Sequence, residues 1–207
     1  MKNKETRTYT GSIEFRAEGE ESRKIIGHAA VFDELSNNLG WFEEWYEKID
    51  RNAFDDVLND DVRALFNHDP NYPLARTKSG TLSISVDDKG LRYEFDAPNT
   101  TIGNDLLEMV KRGDISQSSF AFTIDTQEWV EREGEPTLRI IKKVKRLYDV
   151  SPVTYPAYEG TDVAKNSLAE FRAAQTETKP DPEPQKDTNT ETEEKLLTLR
   201  EREIINN

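Results

Sequence analysis

Residues 118–150 read SSFAFTIDTQEWVEREGEPTLRIIKKVKRLYDV. In the first part, Phe120, Phe122 and Ile124 alternate with Ala121 and Thr123, the period-2 pattern of a strand with one face in a core. A second β-rich run begins at Thr137, and the polar EREGEP between them centres on Gly134, a hairpin signal. If strands 117–130 and 137–150 pair antiparallel about that turn, paired residue numbers sum to about 268, within about two residues. Asp149 then lies opposite Ser119 on the same face. Glu128, nine residues after Ser119 on that strand, would be roughly 30 Å away at ~3.3 Å per residue, too far to share a site.

The same periodicity marks strands around 7–17, 24–32, 42–49, 62–67, 80–86, 90–96, 115–130 and 137–155. SVDDKGLRYEF is a second hairpin, turning at Asp87 to Gly90. Three helices are expected among them. One follows Asp50 through Phe54, Val57 and Leu58. The next starts after Thr100 or Thr101, puts Ile102, Leu106 and Val110 on one face, and stops at Gly113 with Lys111 and Arg112 in its last turn. The third runs from about Thr161 to Ala173. Many strands with few helices predict a mainly β (α+β) fold, an antiparallel barrel or sandwich with peripheral helices. No internal repeat is evident.

The 207 residues suit one domain with an appendage. That domain is expected over 1–173 and an acidic tail over 174–207. Gln175 to Lys195 contains no apolar side chain apart from three prolines at 180, 182 and 184, so it cannot bury enough surface to offset its ordering entropy and is expected to be disordered. An unstructured stretch enters an extended cleft easily, which makes the region from about Ala169 to Leu197 the expected place for self-cleavage.

Composition removes several function classes. There is no cysteine, so disulfides, thiolate metal sites and cysteine nucleophiles are excluded. With two histidines, His28 and His68, neither a polyhistidine zinc site nor a cofactor is expected. The formal net charge of −13 argues against general nucleic-acid binding, which needs basic surface. No apolar run approaches the ~20 residues that span a bilayer, so no membrane partner is expected. MKNKETRTYTG at the N-terminus has no signal-peptide core, and the expected setting is inside a cell.

What chemistry remains rests on hydroxyls, one imidazole and carboxylates. Ser116, Ser118 and Ser119 open the strand of the quoted segment, and no GxSxG elbow is present. His68 closes the apolar strand VRALF, where a reactive side chain projects from a rigid element. Serine and histidine suggest an activated alkoxide, with a third group orienting the imidazole. Spacing alone does not bring them together. A serine at a strand start also serves as an ordinary backbone partner, and a histidine before Asp-Pro also serves as a turn residue.

RKIIGHAAVFDELS, EKIDRNAF, ALFNHDPNYPLARTKSGTL, GLRYEFDAPNTTIGNDLLEMVKRGDISQSSFAF and LYDVSPVTYPAY occur in this order over roughly residues 12–165. As a set they resemble the tailed-phage prohead serine proteases, capsid maturation enzymes related in fold to herpesvirus assemblin. The resemblance implies an assemblin-like antiparallel barrel of about seven strands with peripheral helices. It implies an endopeptidase acting inside the assembling prohead in the host cytoplasm. Its partners would be the major capsid protein or its scaffold segment and its own chain, with a homo-oligomer as a further expectation. His68 would be the general base and the serine before Phe-Ala-Phe the nucleophile. Ala121 stands where the family commonly has glycine, and Ser118 beside Ser119 leaves two candidates. Alternation separates them: Ser119 shares the small-residue face with Ala121 and Thr123, whereas Ser118 shares the phenylalanine face. Ser119 is therefore favoured, with Ser118 as a neighbouring hydroxyl. The resemblance also puts the orienting acid near DVSPVTYPA, the region of Asp149, whose alternative role is a surface pair with Lys143, Lys145 or Arg146. Arg76 is a candidate for oxyanion or substrate support, or for a plain salt bridge. His28 lies too early to be a third member and reads as structural. The alternatives on this fold are a non-catalytic scaffolding or binding module, and a metal hydrolase, which lacks a second histidine at ligand spacing.

Overall fold

A computed structural model of the chain describes residues 4–9, 13–15, 22–40, 43–155, 168–169 and 171–174. Its strands are β1 (Glu5–Tyr9), β2 (Ile13–Phe15), β3 (Lys24–Val31), β4 (Trp45–Ile49), β5 (Arg63–Phe66), β6 (Asp69–Arg76), β7 (Leu82–Val86), β8 (Gly90–Asp96), β9 (Gln117–Val130) and β10 (Thr137–Val153). The helix α1 (Thr101–Arg112) lies between β8 and β9. The chain divides into two compact units, 1–168 and 169–207. Of the second, only 169 and 171–174 are described, and they are helical.

The long β9–β10 hairpin dominates the first unit. Near the turn Val130 faces Leu138 and Trp129 faces Arg139, the register the sequence predicts. β10 is long enough to recruit different partners along its other side. β4 pairs with it at 137–141 and β5 at 149–150, both in parallel, while β1 pairs antiparallel with β9. The six-stranded sheet therefore runs β1-β9-β10-β5-β6 with β4 beside β10, and β2-β3-β8-β7 form a second, four-stranded sheet. This corrects the expected closed antiparallel barrel of about seven strands. Among the described residues both sheets are open, and one is mixed. Strand propensity is local, but partner choice and direction are not, so alternation could not reveal that β4 and β5 run parallel to β10.

Both sheets and α1 face one apolar core. Phe120, Phe122, Leu147 and Val150 come from the first sheet, Ile25, Leu91 and Tyr93 from the second, and Leu106 and Val110 from the helix. α1 begins and ends where its caps require: the Thr100 hydroxyl accepts from the Gly103 amide, and Gly113 closes the helix at φ 82°. The β7–β8 turn also matches, with the Asp87 carboxylate accepting from the Lys89 and Gly90 amides at 2.9 and 3.0 Å. Two expectations change. The segment after Asp50 is a series of turns, Ala53 bonding Asp50 and Val57 bonding Phe54, which buries Phe54 and Val57 without a helix. The segment expected as one strand at 7–17 contains β1 and β2, with residues between them outside the described set. β6 was not expected, because Pro70 and Pro73 remove ladder donors; it is tolerated as an edge strand. Most of the third expected helix, and the tail from Gln175 onward, lie outside the described residues.

The strand periodicity of β10 hides a buried charge cluster. Arg139 is buried while its neighbours Leu138 and Ile140 are only half buried. Arg139 donates to Glu5 at 2.9 and 3.0 Å and to Glu47 at 3.1 Å, and Arg7 donates to Glu47 at 2.7 and 3.0 Å and also to Glu5. Two cations and two anions cancel, which is the condition for holding four charges out of water. We predict that Arg139→Leu, which leaves two buried carboxylates to Arg7 alone, lowers unfolding free energy by about 3–5 kcal/mol. Urea titration measures this, and a loss below about 1 kcal/mol would show that the cluster is effectively solvated.

Candidate active site

Phe66 pairs with Asp69, so Asn67 and His68 form a two-residue loop between β5 and β6. Their φ angles, 54° and 59°, are both positive, as a type I′ turn demands. Asparagine and histidine tolerate that region better than most residues, yet each such position still costs on the order of 1 kcal/mol. Asn67 is clamped to offset the strain. Its amide donates to the Pro152 carbonyl at 3.1 Å, its side-chain amide donates to Thr154 Oγ1 at 3.0 Å, and its side-chain carbonyl accepts from the Thr154 amide at 2.8 Å. The hairpin tip is thus pinned to the end of β10, and His68 is carried over the β9–β10 pair.

There His68 Nε2 lies 2.6 Å from Ser119 Oγ, and Nδ1 bonds the Asp149 carboxylate. Because a carboxylate accepts only, Nδ1 carries the hydrogen and Nε2 is free to accept from the serine. Ser151 Oγ donates to Asp149 Oδ1 at 3.0 Å and sits 3.2 Å from Nδ1. Lys4 Nζ reaches the other carboxylate oxygen at 3.2 Å. Ser119, Asp149 and Ser151 are almost wholly buried, whereas the imidazole is 21% exposed. Burial pushes the Asp149 carboxyl upward, but the His68 hydrogen bond and the electrostatic influence of His68 and Lys4 outweigh it, and the net is below the ordinary carboxylate value.

The caudovirus prohead serine protease family model matches residues 11–176. The chain belongs to that family. The protein is thus a serine protease of phage capsid maturation. Among solved structures, that of the bacteriophage T4 capsid assembly protease is similar at 13% identity and a TM-score of 0.49, over 74% of this chain and 98% of that one. No curated protein matches.

In the protease the register near the site differs from the sequence expectation by two residues. Irregularities at 141/143, 143/144, 144/146 and 147/149 shift β10, so Ser119 faces Ser151 and Asp149 faces Ala121. A two-residue slip restores the same face, so Asp149 still shares that face, one diagonal step from Ser119, and the imidazole spans the gap. Ser118 points to the opposite side and bonds the buried Tyr93 hydroxyl at 2.8 Å. Gly27 makes room for that ring, since a Cβ there would lie 2.5 Å from it. Arg76 is not brought to the cluster: its guanidinium forks onto Asp61 at 2.7 and 2.5 Å, and this bond holds the Asp61 carboxyl down to about 2. The salt-bridge alternative describes Arg76. A cavity of about 450 Å³ lined by Arg63, Pro70, Pro73 and Arg76 touches none of Ser119, His68 and Asp149. His28 pairs with Asp87 at 2.8 Å on the second sheet. Asn67, Ser151 and Lys4 escaped sequence reading. The Asn-His dipeptide at a hairpin tip was the available sign for Asn67; nothing local marks the others.

Since the folded carboxyl of Asp149 titrates below its unfolded value of about 3.9, its stabilising contribution is complete above that value and disappears as pH falls through the folded one. The melting-temperature gap between wild type and Asp149→Asn is accordingly expected to be widest near neutrality and to close below about pH 4. A gap independent of pH would show that fold and carboxylate charge are uncoupled.

Proposed function

We propose that Ser119 is the nucleophile, His68 the general base and then acid, and Asp149 the group that holds the imidazole in its Nδ1–H tautomer. The observation that carries this is the contiguous chain from Ser119 Oγ through His68 to Asp149, with 2.6 Å at the serine end. His68 Nε2 takes the hydroxyl proton as Oγ attacks a peptide carbonyl. The imidazolium formed is stabilised by Asp149 and returns the proton to the departing amine. Water, deprotonated by the same nitrogen, then releases the acyl group from Ser119.

The substrates we assign are scaffold segments of the major capsid protein and the protease's own chain, cut inside the assembling prohead in the host cytoplasm. Residues 1–173 are the catalytic domain in this reading, and 174–207 a tail removed by self-cleavage from about Ala169 to Leu197. The tail's lack of apolar residues supports its role as an extended substrate.

Ser119→Ala is expected to lower turnover on the capsid precursor by about a million-fold while changing stability by about a kcal/mol or less, and Ser118→Ala is expected to retain turnover. Gel and mass-spectrometric analysis of cleavage products decides it; activity in Ser119→Ala with none in Ser118→Ala would move the nucleophile to position 118. C-terminal shortening of stored wild type should stop in Ser119→Ala. Asp149→Asn is expected to lose about 10⁴-fold, and activity within a few-fold of wild type would leave a Ser119–His68 pair oriented without the acid.

A further inference from the structure

Ser119 is completely buried. A nucleophile that must meet the backbone of another chain is sealed, and the strand beside it is β1, which among the described residues ends its sheet and ladders with β9 alone. Thr8 is the cross-strand partner of Ser119 and Thr6 that of Ala121. The Arg7 carbonyl accepts from Ser119 Oγ at 2.8 Å. A hydroxyl has one hydrogen, and here two acceptors face it: the Arg7 carbonyl and His68 Nε2. Each bond to Arg7 withholds the proton that His68 must take. Lys4, immediately before β1, sits on Asp149. Its ammonium repels the positive imidazolium that turnover requires, on the carboxylate that should stabilise that charge.

Resting on the assignment of Ser119 as nucleophile, we propose that residues 4–9 occupy the strand position that a peptide substrate needs beside β9, and that the protease is latent until they leave. An extended peptide adds to an open sheet edge through main-chain bonds, and displacement of β1 would create that edge at the nucleophile. The docking of β1 suits reversible release. Its buried side chains are charged, Glu5 and Arg7, and they regain hydration on leaving, unlike an apolar anchor. What stays behind remains neutral, because Arg139 and Glu47 still pair at 3.1 Å.

The chain has no cysteine, so Thr6→Cys with Ala121→Cys in the full-length protein creates a single disulfide that pins β1 to β9. Ser119 is followed by labelling with a fluorophosphonate probe, and amide hydrogen exchange is measured on wild type. The oxidised double variant is expected to label at least about ten-fold more slowly than the same protein reduced, and wild-type amides at 5–9 to exchange at least about a hundred-fold faster than those at 137–141, as local opening below the global unfolding energy requires. Equal labelling of the two redox forms, or exchange at 5–9 as slow as at 137–141, would overturn the proposal while leaving the nucleophile assignment standing. Fast exchange at 5–9 with no labelling of any form would instead remove Ser119 as nucleophile, and the proposal with it.

Discussion

The pairing of β9 with β10 is the constraint on which everything else depends. It sets the face on which Ser119 and Asp149 meet, and its far side supplies the ladders for β4 and β5. The irregularities along β10 are tolerated because their net effect near the site is an even shift. A one-residue slip would turn Asp149 away from Ser119, whereas a two-residue slip moves it along the same face. The bulges place a second hydroxyl, Ser151, opposite Ser119 and within reach of both Asp149 and His68.

His68 comes from a different part of the chain, and its placement is costly. Two successive residues without glycine's freedom take positive φ at the β5–β6 tip. Such strain persists only where surroundings hold it, and three hydrogen bonds from Asn67 to the end of β10 do so. The parallel pairing of β5 with residues 149–150 brings the foot of that hairpin to the same segment that carries Asp149. Asp149, His68 and the Asn67 clamp are therefore all referenced to β10, and small shifts of that strand move them together.

Electrostatics inside the sheet is organised as two neighbouring systems. Glu5, Arg7, Glu47 and Arg139 form a neutral buried set on the phenylalanine face of β9. Asp149, His68, Ser119 and Ser151 form the reactive set on the other. β1 belongs to both, through its side chains in the first and through the Arg7 carbonyl in the second. Stability of the end strand and access to the serine are thereby linked.

Local signals carried most of the strands, two hairpin turns and both ends of α1, because alternation, caps and turn residues act over a few positions. The small-residue face of β9 singled out Ser119 over Ser118 for the same reason, and the hairpin count reached Asp149 although its register was two short. The sequence by itself determined which residues were chemically capable and on which strand face they stood. Only the tertiary structure decided that β4 and β5 run parallel to β10, that Arg76 serves Asp61, that an arginine lies deeper than the leucine beside it, and that β1 pairs directly alongside Ser119. Each of these depends on segments distant in the chain, whose meeting is governed by the summed burial and charge balance of the whole fold and leaves no periodic trace in either segment.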